Sequence, residues 1–347
     1  MKKIMWMTGV LASVLLVKCG PKMNENTKGT SSETSMSDVD PMPFANSITA
    51  DELKEMLYVY ASDEFEGRNT GEPGQKKAVA YLKEYYENQE IASALDSTYF
   101  QTVPESFFRA GSGIKASENV VAYIKGSTKP DEYIIISAHL DHVGVSDTGE
   151  VFNGADDDGS GTVGLLEIAE AFNEAVKAGY TPQRSIVFLH VTAEEKGLYG
   201  SRYYAENPIF PIANTVADLN IDMIGRVDDA HKDNENYIYL IGSDKLSTEL
   251  DSISTAVNNK YMNIDLDYTY NDENDPNRFY YRSDHYNFAK QGVPIIFYFN
   301  GVHADYHKVS DTPDKINYPM LAKRSQLVFL TAWELANRAD RIVVDKK

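Results

Sequence analysis

Between residues 119 and 338 the chain alternates two apolar patterns, and this restricts its fold more than any other feature. Short continuous runs at 119–125, 132–138, 185–191, 214–221, 237–241 and 293–299 are rich in Ile, Val, Tyr and Phe. They are apolar on both sides, as strands covered on both faces are. Between and around them, 161–178, 197–205, 246–260, 284–291 and 318–338 repeat apolar residues at helical spacing. Upstream, 75–89 does the same, and a further helix follows the cap candidate Thr49. Strands alternating with helices predict an α/β domain: three layers, with a central, mostly parallel mixed β-sheet flanked by helices. Ser283 is the expected cap of the helix at 284–291.

In such sheets, sites form at the carboxyl ends of the strands, and those ends carry unusual chemistry here. The run 185–191 leads to two adjacent acids, Glu194 and Glu195. Adjacent carboxylates at the end of a buried strand lose solvation, and a metal ion offsets that cost. They can also divide the labour, one binding the ion and the other moving protons. The run ending at Ala138 is followed by His139 and, two residues on, Asp141. An acid so placed can orient a ligating imidazole. Asp156, Asp157 and Asp158 sit between glycines at the start of a helix. The run 214–221 ends in Asp222, and the run 293–299 leads to Tyr306 and His307. Each alone is an ordinary surface motif. Together, His139, Asp157, Glu195, Asp222 and His307 form an imidazole and carboxylate inventory for two zinc ions sharing one acid.

Composition narrows the function classes. A formal net charge of −19 argues against nucleic-acid binding, which needs basic surface. It also favours sites that attract ammonium groups. Lys2 and Lys3 precede an apolar stretch at 4–17 and then Cys19, the sole cysteine. This resembles a bacterial lipoprotein signal, with Cys19 lipidated, although Lys18 stands where a small residue is usual. The expected organisation is a signal peptide at 1–19, a flexible tether at 20–47 and one folded domain at 48–347. The expected location is exported, as a periplasmic or outer-membrane-tethered lipoprotein, with plain secretion as the alternative.

The motifs Ser137-Ala-His-Leu-Asp141, Gly154-Ala-Asp-Asp-Asp-Gly-Ser-Gly161, Thr192-Ala-Glu-Glu-Lys-Gly-Leu-Tyr-Gly-Ser201, Asn220-Ile-Asp-Met-Ile-Gly225, Arg282-Ser-Asp-His285 and Asp305-Tyr-His307 with Asp311-Thr312 occur in order. So does the upstream stretch from Ala61 to Gly71. Taken together they resemble the M28 zinc aminopeptidases, co-catalytic di-zinc exopeptidases. The segment from Phe100 to Glu118 is too short for the protease-associated insert of some relatives. The resemblance implies that Asp157 bridges two Zn2+ per chain. One ion would add Glu195 and His307, the other His139 and Asp222. Glu194 would be the general base, and Tyr306 the phenol that some members use on the oxyanion. Asp141 would orient His139, while Asp158, Ser283 and Asp284 would support the ligands from behind. A cis peptide after the bridging acid is common in the family. The implied substrates are peptides with a free N-terminus. Alternatives are a dipeptidase, carboxypeptidase or glutaminyl cyclase on the same fold, or a non-catalytic surface binding module. No Gly-x-Ser-x-Gly elbow supports a serine hydrolase.

Overall fold

A computed structural model describes residues 39–346. The signal segment, Cys19 and most of the expected tether lie outside the described residues. Eleven strands run along the described chain: β1 Ala92–Ser93, β2 Phe100–Val103, β3 Ser117–Ile124, β4 Lys129–His139, β5 Gly144–Val145, β6 Val151–Phe152, β7 Arg184–Val191, β8 Thr215–Ile221, β9 Tyr237–Ile241, β10 Asp265–Asp267 and β11 Ile295–Phe299. The helices are α1 Met42–Ala45, α2 Ala50–Tyr60, α3 Pro73–Asn88, α4 Gly161–Lys177, α5 Tyr199–Glu206, α6 Thr248–Val257, α7 His285–Ala289 and α8 Tyr318–Asn337.

Nine strands form one mixed sheet in the order β1-β3-β7-β4-β8-β11-β9-β10, with β2 also paired to β3. The four in its centre, β7, β4, β8 and β11, are mutually parallel. Antiparallel pairings join β1, β2 and β7 to β3, and β9 to β11. Parallel order is therefore concentrated where helices cover both faces, as burial of both sides requires. Alternate residues of each strand enter opposite layers. Ile134, Ile136, Ile186 and Phe188 pack toward α2, α3, α4 and α8. Ile135, Val187 and Leu189 pack with Tyr204 of α5 and Phe288 of α7.

Two expectations change. Residues 42–47, expected in the tether, belong to the folded part: the Phe44 ring stacks on Trp333 of α8 at 5.8 Å, and Ala45 is fully buried. They cover apolar surface on the closing helix. Thr49 caps α2 as expected, accepting from the Glu52 N–H at 3.3 Å. Ser283 does not cap α7, since its hydroxyl is committed to the site described next.

Register brings the site together. Ala138 of β4 lies level with Ile221 of β8, and Tyr298 of β11 with Ile221. The next residues, His139 and Asp222, therefore leave adjacent strands side by side at the carboxyl edge.

Candidate active site and metal centre

Asp157 occupies the middle of the constellation. Its Oδ1 is 3.2 Å from His139 Nε2, and its Oδ2 is 3.0 Å from His307 Nε2. Asp222 Oδ1 lies 3.6 Å from the same His139 nitrogen, and Glu195 Oε2 lies 3.1 Å from His307 Nε2. One carboxylate thus faces two imidazoles, each with its own acid. All of the predicted ligands converge. Burial opposes ionisation of Asp157, but His139 and His307 overcome it and hold its pKa well below the usual carboxylate range. Burial opposes a proton on His139, yet Asp222 and Asp157 raise its pKa well above the usual histidine value.

The donor atoms lack ordinary partners. His139 Nε2, Asp157 Oδ2 and Glu195 Oε1 are buried without a hydrogen bond, a costly condition for polar atoms. Acids outnumber bases, for Asp158 and Asp284 are also buried close by and Glu194 stands half-buried beside them. Cations bound between the imidazoles and carboxylates would satisfy both the unpaired donors and the excess negative charge. The residues fit a metal pair.

The backbone needs help to present these groups. Ala193, Met223 and His307, each at or beside a ligand or the candidate base, have φ of 58°, 63° and 55°. Such left-handed geometry is unfavourable outside glycine and gathers at functional turns. The Asp157–Asp158 peptide is cis. Both Asp158 oxygens are already hydrogen-bonded, although one lies within 4.8 Å of donor atoms of His139 and Asp222. Asp158 accepts from the N–H groups of His139, Gly161 and Met223 at 3.0–3.1 Å, tying the acidic turn to β4 and β8. Asp156 accepts from Gly225 N–H at 2.7 Å, and Asp311 accepts from the N–H groups of Asp156 and Asp157.

Asp141 supports His139 differently from the expectation. The Asp141 backbone carbonyl, 3.0 Å from His139 Nδ1, orients the ring, while the carboxylate lies 4.0 Å away. That carboxylate is taken by the Thr70 hydroxyl at 2.7 Å and the Glu194 N–H at 3.0 Å. It therefore positions the candidate base. Ser283 donates to Asp222 Oδ2 at 2.6 Å and accepts from Asn220 at 3.0 Å. Asp284 accepts from Ser201 at 2.5 Å, and burial pushes its pKa up to about 7, with Asp222 adding to the rise.

A pocket beside the donors is lined by Asp157, Glu194, Asp222 and Tyr306, with Met223, Phe279, Phe297, Phe299 and Val302 as its apolar wall. Of residues 266–281, only Phe279 reaches the lining. Tyr306 stacks on His307 with ring centroids 3.9 Å apart. Burial, reinforced by Asp157 and Asp222, keeps its phenol protonated. Burial also pushes Glu194 well above the usual carboxylate range; the attraction of His139 opposes this, and Asp222 and Asp284 add to it.

Sequence reasoning gave no task to Arg68, Thr70, Asp156 or Asp311. Arg68 is fully buried and donates to the carbonyls of Tyr60, Leu140, Asn153 and Gly154 at 2.7–3.2 Å. It joins the turn after β4 to the turn before Asp157. Its position in the Ala61–Gly71 motif was the available signal.

The model of peptidase family M28 matches residues 119–332. The chain belongs to this family. Leupeptin-inactivating enzyme 1 of Streptomyces exfoliatus is 29% identical over 260 residues, covering 75% of this chain and 50% of that protein. Probable aminopeptidase YDR415C of Saccharomyces cerevisiae is 27% identical over 229 residues, covering 63% and 57%. The chain thus spans about half the length of these M28 relatives. Among solved structures, the Legionella pneumophila LapA aminopeptidase has a TM-score of 0.65 at 24% identity, over 86% of this chain and 75% of that one. BSAP, a zinc aminopeptidase from Bacillus subtilis, has 0.64 at 16% identity, over 86% and 99%. Porphyromonas gingivalis glutaminyl cyclase has 0.64 at 19% identity, over 82% and 97%. At these identities the structures show the M28 fold alone.

Proposed function

We propose that this M28 protein is a two-zinc aminopeptidase that removes the first residue from peptides with a free N-terminus. The observation that carries the reading is Asp157, whose two oxygens lie 3.2 Å from His139 and 3.0 Å from His307. His139, Asp157 and Asp222 would hold one ion, and Asp157, Glu195 and His307 the other. Bound there, zinc supplies Lewis acidity to the scissile carbonyl and makes water a nucleophile near neutral pH.

The chain's own residues do the rest. Glu194, held through its N–H by Asp141, takes a proton from the attacking water and returns it to the leaving amine. A carboxylate with a raised pKa suits both transfers. Tyr306 donates its hydroxyl hydrogen to the carbonyl oxygen as charge develops there. The acids around the pocket attract the substrate ammonium, and this selects exopeptidase over endopeptidase cleavage. The apolar wall favours an apolar first side chain.

The test is a panel of free and N-acetylated peptides, with products identified by mass, before and after chelation and zinc readdition. Single N-terminal residues released from free peptides alone, lost with chelator and restored by zinc, are the expected result. Cleavage of blocked peptides or at the C-terminus would replace the reading with a carboxypeptidase or another peptidase. Cyclisation of N-terminal glutamine with release of ammonia would mark a glutaminyl cyclase. No turnover with two bound zinc ions would favour a binding module. The reading includes export with a lipid on Cys19. Metabolic labelling with palmitate, absent from a Cys19→Ala variant, is the expected signature, and equal labelling of both would remove it.

A further inference from the structure

The centre contains a third imidazole to which the two-zinc assignment gives no role. His142 follows Asp141 in the turn after β4, and its ring is fully buried. Among the described residues neither ring nitrogen has a hydrogen-bond partner, although a buried neutral imidazole carries one donor and one acceptor to be satisfied. Its Nδ1 lies 2.9 Å from Glu195 Oε1 and 3.7 Å from Asp157 Oδ2. The shorter distance suits a hydrogen bond, but the N–H does not point at the oxygen, and Glu195 Oε1 is itself unpartnered. His139 Nε2 and Asp157 Oδ2, two donor atoms of the assigned ligand set, are unpartnered in the same way.

The spacing has a simple explanation. Donors bound tetrahedrally to one zinc at about 2.0–2.2 Å stand roughly 3.3 Å from one another. His142 Nδ1 lies 2.9 Å from Glu195 Oε1 and 3.7 Å from Asp157 Oδ2, and His307 Nε2 lies 3.1 Å from Glu195 Oε2 and 3.0 Å from Asp157 Oδ2, all near that spacing. The His142 and His307 rings meet edge to face, at 71° with centroids 5.7 Å apart, so they approach the shared space from different sides. The fold makes room for the extra ring. Gly154 has a φ of 55°, and a Cβ there would stand 2.5 Å from two ring carbons of His142. Arg68 binds the carbonyls on either side of the ring, Leu140 and Gly154, at 3.1 and 2.8 Å.

We propose that His142 Nδ1 is a fourth protein ligand of the ion held by Asp157, Glu195 and His307. The inference rests on the two-metal reading above. It makes the two halves unequal. One ion has four protein ligands, two imidazoles and two carboxylates, which fill a tetrahedral shell. The other, on His139, Asp157 and Asp222, keeps a position open, as catalytic zinc does. The closed ion secures Glu195 and the Asp157 turn, while the open one meets the substrate.

The experiment titrates Co2+ and Zn2+ into the full chain after chelation, for wild type, His142→Gln and His142→Ala. Metal affinity and cobalt visible absorption are recorded. Wild type is expected to fill one tight and one weaker site. In the variants the tight site weakens by more than the roughly 10–100-fold typical of losing an outer partner, its cobalt band changes, and the weaker site is unmoved. Affinities within twofold of wild type and an unchanged cobalt spectrum would overturn the proposal. Failure of wild type to bind two ions would instead sink the two-metal reading. Should both variants fail to fold, zinc-edge anomalous diffraction from wild type decides: His142 Nδ1 about 2.1 Å from an ion supports ligation, and a ring turned away from it refutes it.

Discussion

Replacing Arg68 with methionine tests whether the M28 centre depends on one buried cation outside the ligand set. The guanidinium donates four hydrogen bonds, to Tyr60, Leu140, Asn153 and Gly154, and lies 4.7 Å from the Tyr60 ring. Methionine fills much of the volume but leaves those carbonyls without this donor. An unsatisfied buried polar group costs about 1–3 kcal/mol. Leu140 keeps the Tyr60 hydroxyl and Gly154 keeps the Gly159 N–H, so two carbonyls, those of Tyr60 and Asn153, carry the loss; together they cost about 2–4 kcal/mol, and relief from burying the Arg68 charge reduces this to roughly 2 kcal/mol. For a domain of roughly 300 residues that lowers Tm by about 3 °C. Arg68→Lys keeps the charge but not the planar fork, and should fall between the two. Because the carbonyls of Leu140, Asn153 and Gly154 lie on the turns flanking His139 and Asp157, zinc affinity should fall together with stability. Urea unfolding with and without zinc, alongside competition with a chromophoric chelator, reads both. An Arg68→Met protein with an unchanged urea midpoint and unchanged zinc affinity would refute the reasoning.

Glu194→Gln should keep zinc and lose about 10²–10⁴-fold in kcat; turnover near the wild-type value would remove Glu194 as the base. Asp157→Ala should lower the content of both ions when metal is counted by mass spectrometry, and full content would end the bridging role. Glu167, buried in α4, supplies a pH test away from the centre: burial pushes its pKa up to about 8, with Glu52 and Glu170 adding to the rise. Its unfolded carboxyl ionises near 4.5, so the folded state binds the extra proton, and this contribution to stability declines as pH rises from there to about 8. Glu167→Gln should therefore stabilise more at pH 8.5 than at pH 5.5, by at most about 3 kcal/mol; an equal gain at both, by urea unfolding, would contradict it.

Local pattern made legible the layered α/β class, the order of the long elements, and the candidate metal ligands at and beyond the strand ends. Those features are local: apolar period identifies the element, and an acid or imidazole at its end stands out against an apolar run. Its limits were also local. The short strands β1, β2 and β10 (two to four residues) carry too little pattern to read, and Phe44 looked like part of a tether because its partner Trp333 lies far along the chain. Only the tertiary structure decided which atoms of the motif residues act. The Asp141 carbonyl rather than its carboxylate meets His139, Ser283 holds Asp222 instead of capping α7, and Asp158 is spent on backbone N–H groups. Only the structure brought Arg68 and His142 into the centre, the latter from within the very turn that carries His139 and Asp141. Residue type and spacing specify what a side chain can donate or accept. Which partner it meets depends on strand register and on packing between segments distant in sequence, and these exist only once the chain has folded.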